Sequence, residues 1–138
     1  MIDAHHHLWD LSKVHYPWLE AKGVVRFFGD PTPIQRNYLL KEFRENAKVE
    51  GFRASVHIQV GAADPVAEAM WIDSIAEANP DWPLVQVVHC DLTSSTLDKD
   101  LDLFQTIPSI RGVRQIVGRS SEEAVSYTHL TLPTNCVV

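Results

Sequence analysis

Cysteine is scarce in this chain: Cys90 and Cys136 are the only two in 138 residues, and they stand in no paired spacing. That excludes a disulfide scaffold and a thiolate metal site, and it suits a reducing compartment, so a cytoplasmic location is expected. Clustered positive charge is missing as well. Twelve Lys and Arg against eighteen Asp and Glu give a formal net charge of −6, with no basic run. Nucleic acid and anionic membrane surfaces both demand clustered Lys and Arg, so neither is expected as a partner. Long apolar runs are absent too. No stretch approaches the roughly 20 residues of a membrane span, and no basic segment leads into an apolar one as in a signal peptide. What is present is a composition of globular character, 45% hydrophobic and 22% charged, sufficient for one ordinary core.

Chemistry concentrates at the start. Met1-Ile2-Asp3-Ala4 is an apolar opening that runs directly into His5-His6-His7 and on to Leu8-Trp9-Asp10. An expression tag would be a longer homogeneous run outside the apolar pattern, whereas this triplet lies within one. In a strand, residues two apart share a face, so His5 and His7 point one way and His6 the other. Two imidazoles side by side at a strand end can grip a divalent cation or a polar substrate.

Further on, strands and helices alternate. Phe52 to Val60 has period two, with Ala54, Val56, Ile58 and Val60 on an apolar side and Ser55, His57 and Gln59 on the other. Asp64-Pro65 supplies an N-cap and a first-turn proline for a helix reaching about Asn79-Pro80. Its Trp71, Ile72, Ile75 and Ala76 form the buried stripe, with Asp73, Ser74 and Glu77 turned to water. Leu84 to Asp91 reads as a strand covered on both faces; Leu97, Leu101 and Phe104 mark a helix stopped before Pro108; Ile110 to Val117 reads as a further strand. Such alternation implies parallel βα units. The turn-rich segment from Leu8 to Ile34 is expected to be an ordered lid, because it carries Trp9, Tyr16, Trp18, Phe27 and Phe28, and a short helix from about Arg36 to Asn46 follows it.

Ile2-Asp3-Ala4-His5-His6-His7-Leu8-Trp9-Asp10, Tyr16-Pro17-Trp18-Leu19, Val56-His57-Ile58-Gln59, Asp64-Pro65-Val66-Ala67-Glu68 with Trp71, and Arg111-Gly112-Val113-Arg114-Gln115 together resemble the amidohydrolase-related TIM-barrel hydrolases, in the sugar-lactonase branch that includes L-fuconolactonase and L-rhamnonolactonase. The resemblance runs from Ile2 to about Arg119. It implies an α/β fold, a partial (β/α)8 TIM barrel with the site at the C-terminal ends of its strands. A full barrel needs about 250 residues, at about 30 per strand-helix-strand unit, so only about the first four βα units are expected here. Residues 1–124 read as that N-terminal half. Residues 125–138, with Val125-Ser126-Tyr127-Thr128-His129-Leu130-Thr131-Leu132-Pro133-Thr134, resemble one reading frame of a sequencing-library adaptor, so His129 and Cys136 are excluded from any site. An open four-stranded half also leaves two strand edges unpaired, and a homodimer through those edges is expected.

The resemblance implies roles. His5 and His7 are the catalytic pair and the ligands of a divalent metal, zinc above all, although some lactonases of this kind use the pair without metal to polarise the lactone carbonyl. Two histidines do not complete the roughly four-coordinate shell that zinc takes, and the further His and Asp expected near later strand ends are absent. His57 and Gln59 are expected to point into the barrel and contact substrate, with a hydrogen-bonded core histidine the competing reading for His57. Arg114 presents a planar donor fork for a carboxylate or hydroxyl, and Trp9 and Trp18 line the pocket. Asp3, on the parity of His5 and His7, orients an imidazole. His89 is given a structural role and Arg111 a surface one. The expected reaction is hydrolytic opening of a sugar-acid lactone. The alternatives are a metal-dependent decarboxylase of the same superfamily and a non-catalytic metal-binding fragment.

Overall fold

A computed structural model of the chain describes residues 1–26 and 28–116. Phe27, Val117, and the whole of the adaptor-like segment 125–138 lie outside the described residues, so the domain boundary at 124 does too.

Four strands, β1 (Ile2–His6), β2 (Ala54–Ile58), β3 (Leu84–His89) and β4 (Ile110–Arg114), form one parallel sheet in the order β1-β2-β3-β4. Between them lie α1 (Pro17–Glu20), a single 3-10 turn at Thr32–Ile34, α2 (Leu40–Val49), α3 (Pro65–Ala78) and α4 (Leu97–Gln105). Parallel neighbours cannot be joined by a tight hairpin, so each step along the sheet needs a crossover, and the helices supply it. This is the βα succession expected from the alternation of apolar patterns.

Helix α3 shows how local sequence sets an element. The Asp64 carboxylate accepts from the amides of Val66 at 2.9 Å and Ala67 at 3.1 Å, and Pro65 takes the position where no amide is needed. Helix α2 begins four residues later than the sequence suggested, at Leu40, because Tyr38 pairs with Trp9 in an antiparallel bridge and Leu39 is extended.

Burial alternates along β3. Leu84, Gln86 and Val88 are buried, while Val85, Val87 and His89 are half-exposed. The buried set faces the helices. Leu8, Leu40, Phe43, Ala47, Ile72, Trp82 and Leu84 form one cluster, and Ala69, Val88, Cys90 and Phe104 a second. Several polar side chains within this layer are hydrogen-bonded: Trp82 donates to Ser55 Oγ at 2.9 Å, and Gln86 donates to the Ala69 carbonyl and to Ser109 Oγ. The opposite face of the sheet is the barrel-lumen side. It is open among the described residues, with Ile2 65% exposed. The expectation that the Leu84 strand is covered on both faces is therefore corrected: helices cover one face, and no second layer covers the other among the described residues.

The segment between β1 and α2 is folded. Val14, Tyr16 and Leu19 make a third apolar cluster, packed by Trp18, Ile34, Val60 and Ala62, and Trp18 donates its indole N–H to the Val60 carbonyl at 2.6 Å. It lies against the C-terminal end of β2, where the site is expected. No helix among the described residues is long and apolar enough to cross a membrane.

Candidate active site

All four strands run parallel, so their C-terminal ends share one rim. That rim carries His5 and His6 from β1 with His7 just beyond it, Ile58 at the end of β2 with Gln59 and Val60 after it, His89 from β3 and Arg114 from β4. His89 and Arg114 stand opposite each other in register. In open parallel sheets ligands collect at this end, because the loops that follow each strand can diverge while the strands stay fixed.

The register of β1 on β2 is irregular. Ile2 pairs with Ala54 and Asp3 with Ser55, but His6 pairs with His57, so three residues of β1 advance against two of β2. One extra residue in a strand reverses which face the following side chains occupy. Asp3 thus falls on the side of His6, and the reading that put it with His5 and His7 is corrected. Its carboxylate accepts from the His5 backbone amide at 3.0 Å, with no imidazole hydrogen-bonded to it among the described residues.

His5 and His7 come together, their rings 5.1 Å apart and edge to face. His6 is turned to the helices, stacked on Phe43 at 3.9 Å, and burial pushes its imidazole down to about 3. His7 is half-buried. Its Nδ1 lies 2.8 Å from the Ile58 carbonyl, which can only accept, so Nδ1 carries the proton and Nε2 keeps its lone pair. Burial lowers the His7 pKa, the Ile58 carbonyl opposes this, and the charges of His5 and Arg114 lower it further. A neutral imidazole with a bare Nε2 accepts a proton or binds a cation. It does not donate from that nitrogen to a carbonyl, which sets the metal-free polarising role aside for neutral His7.

His57 is elsewhere. It is 1% exposed, lies edge to face with His6, and directs Nε2 at the Glu68 carboxylate of α3, 3.5 Å away. The expectation that it points into the barrel to hold substrate is corrected. In a parallel barrel the helix-facing side is the more buried one, and β2 places Ser55 and His57 there rather than Ala54 and Val56. Its Nδ1 accepts from the Leu8 amide at 3.2 Å. Burial and the nearby His7 push its pKa down to about 3, so the ring is neutral, with its proton on Nε2.

Gln59 is buried and its side-chain carbonyl accepts from Gly61 N at 2.6 Å, closing its own turn. Its expected substrate contact is corrected on that ground. Trp9 is half-buried against Tyr38, and its indole N–H goes to the Arg36 carbonyl at 2.6 Å, so its polar handle is committed to the loop. Arg114 ends β4 within electrostatic reach of His7.

Glu68 is the residue that sequence reasoning missed. It is buried, and Oε1 accepts from the Val60 amide at 2.8 Å, with the Ala62 amide also bonded to the carboxylate. Gly61, at φ +83°, lets the backbone turn so that the amides on either side of it converge. Burial lifts Glu68 to about 7 against the pull of those amides. A signal was present: Glu68 lies one turn before Ile72 and so falls on the apolar stripe of α3, where a carboxylate has no solvent reason to be.

Zinc prefers about four donors. Among the described residues no group of three or more His, Cys, Asp or Glu is placed to hold a metal, so His5 and His7 are half of a shell and do not make a zinc site by themselves.

No protein-family model matches the chain. An uncharacterized protein, y4mH, of Sinorhizobium fredii is 32% identical over 129 residues, covering 92% of this chain and 43% of that protein. Among solved structures, an amidohydrolase from Burkholderia multivorans with bound zinc superposes with a TM-score of 0.66 at 19% identity, over 92% of this chain and 40% of that one. A probable 2-pyrone-4,6-dicarboxylic acid hydrolase from Acinetobacter baumannii, with citric acid bound, gives a TM-score of 0.54 at 17% identity, over 84% of this chain and 37% of that one. The chain thus spans about two-fifths of the length of the proteins it matches. The likeness shows the fold, an α/β partial barrel of parallel βα units.

Proposed function

We propose that this chain is part of an amidohydrolase-type barrel enzyme that opens the lactone ring of a sugar acid by hydrolysis. The observation that carries the reading is the His5–His7 pair, with His7 fixed through Nδ1 on the Ile58 carbonyl and its Nε2 lone pair left available at the strand-end rim. Support comes from the two structural neighbours, one an amidohydrolase and the other named for hydrolysis of a pyrone, which is itself a ring ester.

The chemistry that this chain contributes is proton handling and orientation. Neutral His7 takes a proton at Nε2 from the attacking water, whose oxygen bonds to the lactone carbonyl carbon; the ring C–O bond then breaks and the departing oxygen is protonated. His5 flanks the same space. Arg114, on the fourth strand end, supplies a cation for a sugar-acid carboxylate or hydroxyl. A divalent metal, when bound, would polarise the carbonyl and acidify water. His5 and His7 would be two of its ligands, His7 then giving its Nε2 lone pair to the ion in place of the water proton, and the remaining donors would come from outside the described residues.

The test begins at the source DNA. Amplified across the codon for Ala124, it is expected to continue the frame into further strands with His and Asp at their ends. The protein so encoded is expected to open sugar-acid lactones, followed by acid release. Decarboxylation without lactone opening, or metal binding with no turnover on any lactone, would overturn the reading.

A further inference from the structure

Two crosslinks between β2 and the residues that directly follow β1 are reciprocal. The His7 ring bonds to the backbone carbonyl of Ile58, and the ring of His57, one residue before Ile58, bonds to the backbone amide of Leu8, one residue after His7. Each histidine therefore holds the strand that carries the other. The second crosslink works only if His57 Nδ1 is bare, because the Leu8 amide is a donor. A neutral imidazole with bare Nδ1 has its proton on Nε2, deep in the helix layer. Among the described residues that N–H has no acceptor at ordinary hydrogen-bond length, and the atom facing it is Glu68 Oε1 at 3.5 Å.

We infer that Glu68 is a positioning residue for His7: as the acceptor facing His57 Nε2–H it fixes the His57 tautomer, which anchors the Leu8 amide and thereby the backbone that presents the His7 ring at the rim. This rests on the reading of His7 as the reactive group. Glu68 is suited to the task because it is itself immobilised. It projects from the first turns of a helix capped by Asp64 and is clamped by the amides of Val60 and Ala62. Oε1 remains an acceptor whether or not Oε2 carries a proton, so the arrangement does not depend on the charge of the acid. A leucine at this place on the apolar stripe would leave the Val60 and Ala62 amides, as well as the His57 Nε2–H, without the acceptor that faces them.

The test reads the imidazole nitrogens of the 15N-labelled 138-residue chain by NMR, with His7 and His57 assigned from single substitutions. In the wild type His57 is expected as the Nε2–H tautomer and His7 as the Nδ1–H tautomer. Glu68→Leu is expected to move the ring signals of both histidines, and Glu68→Gln, which keeps an acceptor oxygen, to restore them. In the lactone-opening enzyme Glu68→Leu is expected to lower kcat about 10-fold or more with KM little changed. His57 found as the Nδ1–H tautomer in the wild type, which needs no variant to fold, would overturn the inference. So would Glu68→Leu leaving the His7 ring signals in place. Neither ring measurement uses a lactone, so failure of the substrate assignment is separable from failure of this one.

Discussion

His7 and His57 hold each other's strands: Nδ1 of His7 is 2.8 Å from the carbonyl of Ile58, and Nδ1 of His57 is 3.2 Å from the amide of Leu8. The two rings play different parts. His7 is half-buried at the rim with a bare nitrogen, whereas His57 is buried in the layer between sheet and helices.

His57→Ala is therefore expected to be costly and His5→Ala nearly silent for folding. Removing the His57 ring empties a buried site and strands the Leu8 amide, at about 3 kcal/mol. His5 is exposed, and its loss is expected to stay within about 0.5 kcal/mol. Urea unfolding of the two variants beside the wild type checks the ranking; equal midpoints would count against the clasp.

Glu68 gives a pH signature of definite sign. Its folded pKa is raised from 4.5 to about 7, so between those values the native state keeps a proton that the unfolded chain has released. Stability from this group is unaffected below 4.5, falls as pH rises towards 7, and stays lowered above it, by on the order of 3 kcal/mol. Buried His6 and His57 act in the opposite sense, losing stability as pH falls from 6.5 towards 3. The clean readout is the difference between wild type and Glu68→Gln. Wild type is expected to lose ground to the variant as pH rises from 5 to 8, and a difference flat in pH would contradict the raised pKa.

Asp64→Ala is expected to cost about 1 kcal/mol through loss of the α3 cap, since the two amides it accepts from have no other partner in the first turn. Because Glu68 rides on that turn, the same substitution should also loosen the amides of Val60 and Ala62, detectable as faster hydrogen exchange there.

The open face of the sheet predicts self-association of the 138-residue chain. β1 and β4 are edge strands among the described residues, and Ile2 is 65% exposed on the lumen side. Sedimentation velocity is expected to show dimers or larger species at micromolar concentration, displaced by charge placed on an edge, as in Ile2→Lys. A stable monomer would argue that the edges are otherwise protected.

Much of the fold was legible because period and punctuation agree. Asp64-Pro65 located α3, the apolar run at Leu84 located β3, and the alternation implied parallel pairing. The closeness of His5 and His7 was legible too, from their two-residue spacing. What was not legible depends on the register slip of β1 on β2 and on which side the helices lie. A single extra residue between Asp3 and His6 moved Asp3 to the other face, and no local pattern announces it. Polar residues on a strand suggest an open face, which is the ground for placing His57 and Gln59 in the lumen; here both are buried, His57 accepting from the Leu8 amide and facing Glu68, Gln59 accepting from the Gly61 amide. Glu68 was masked by its position, since an acid in a first helical turn has a sufficient local explanation in the helix dipole.

The central claim is that His7 is the proton-accepting group of a lactone-opening site. Its most direct test is kcat/KM for hydrolysis of a sugar-acid lactone by the in-frame enzyme and its His7→Asn variant, since asparagine retains a donor to the Ile58 carbonyl but offers no basic nitrogen. A fall of about 100-fold or more is the predicted result; a kcat/KM equal to the wild type would contradict it.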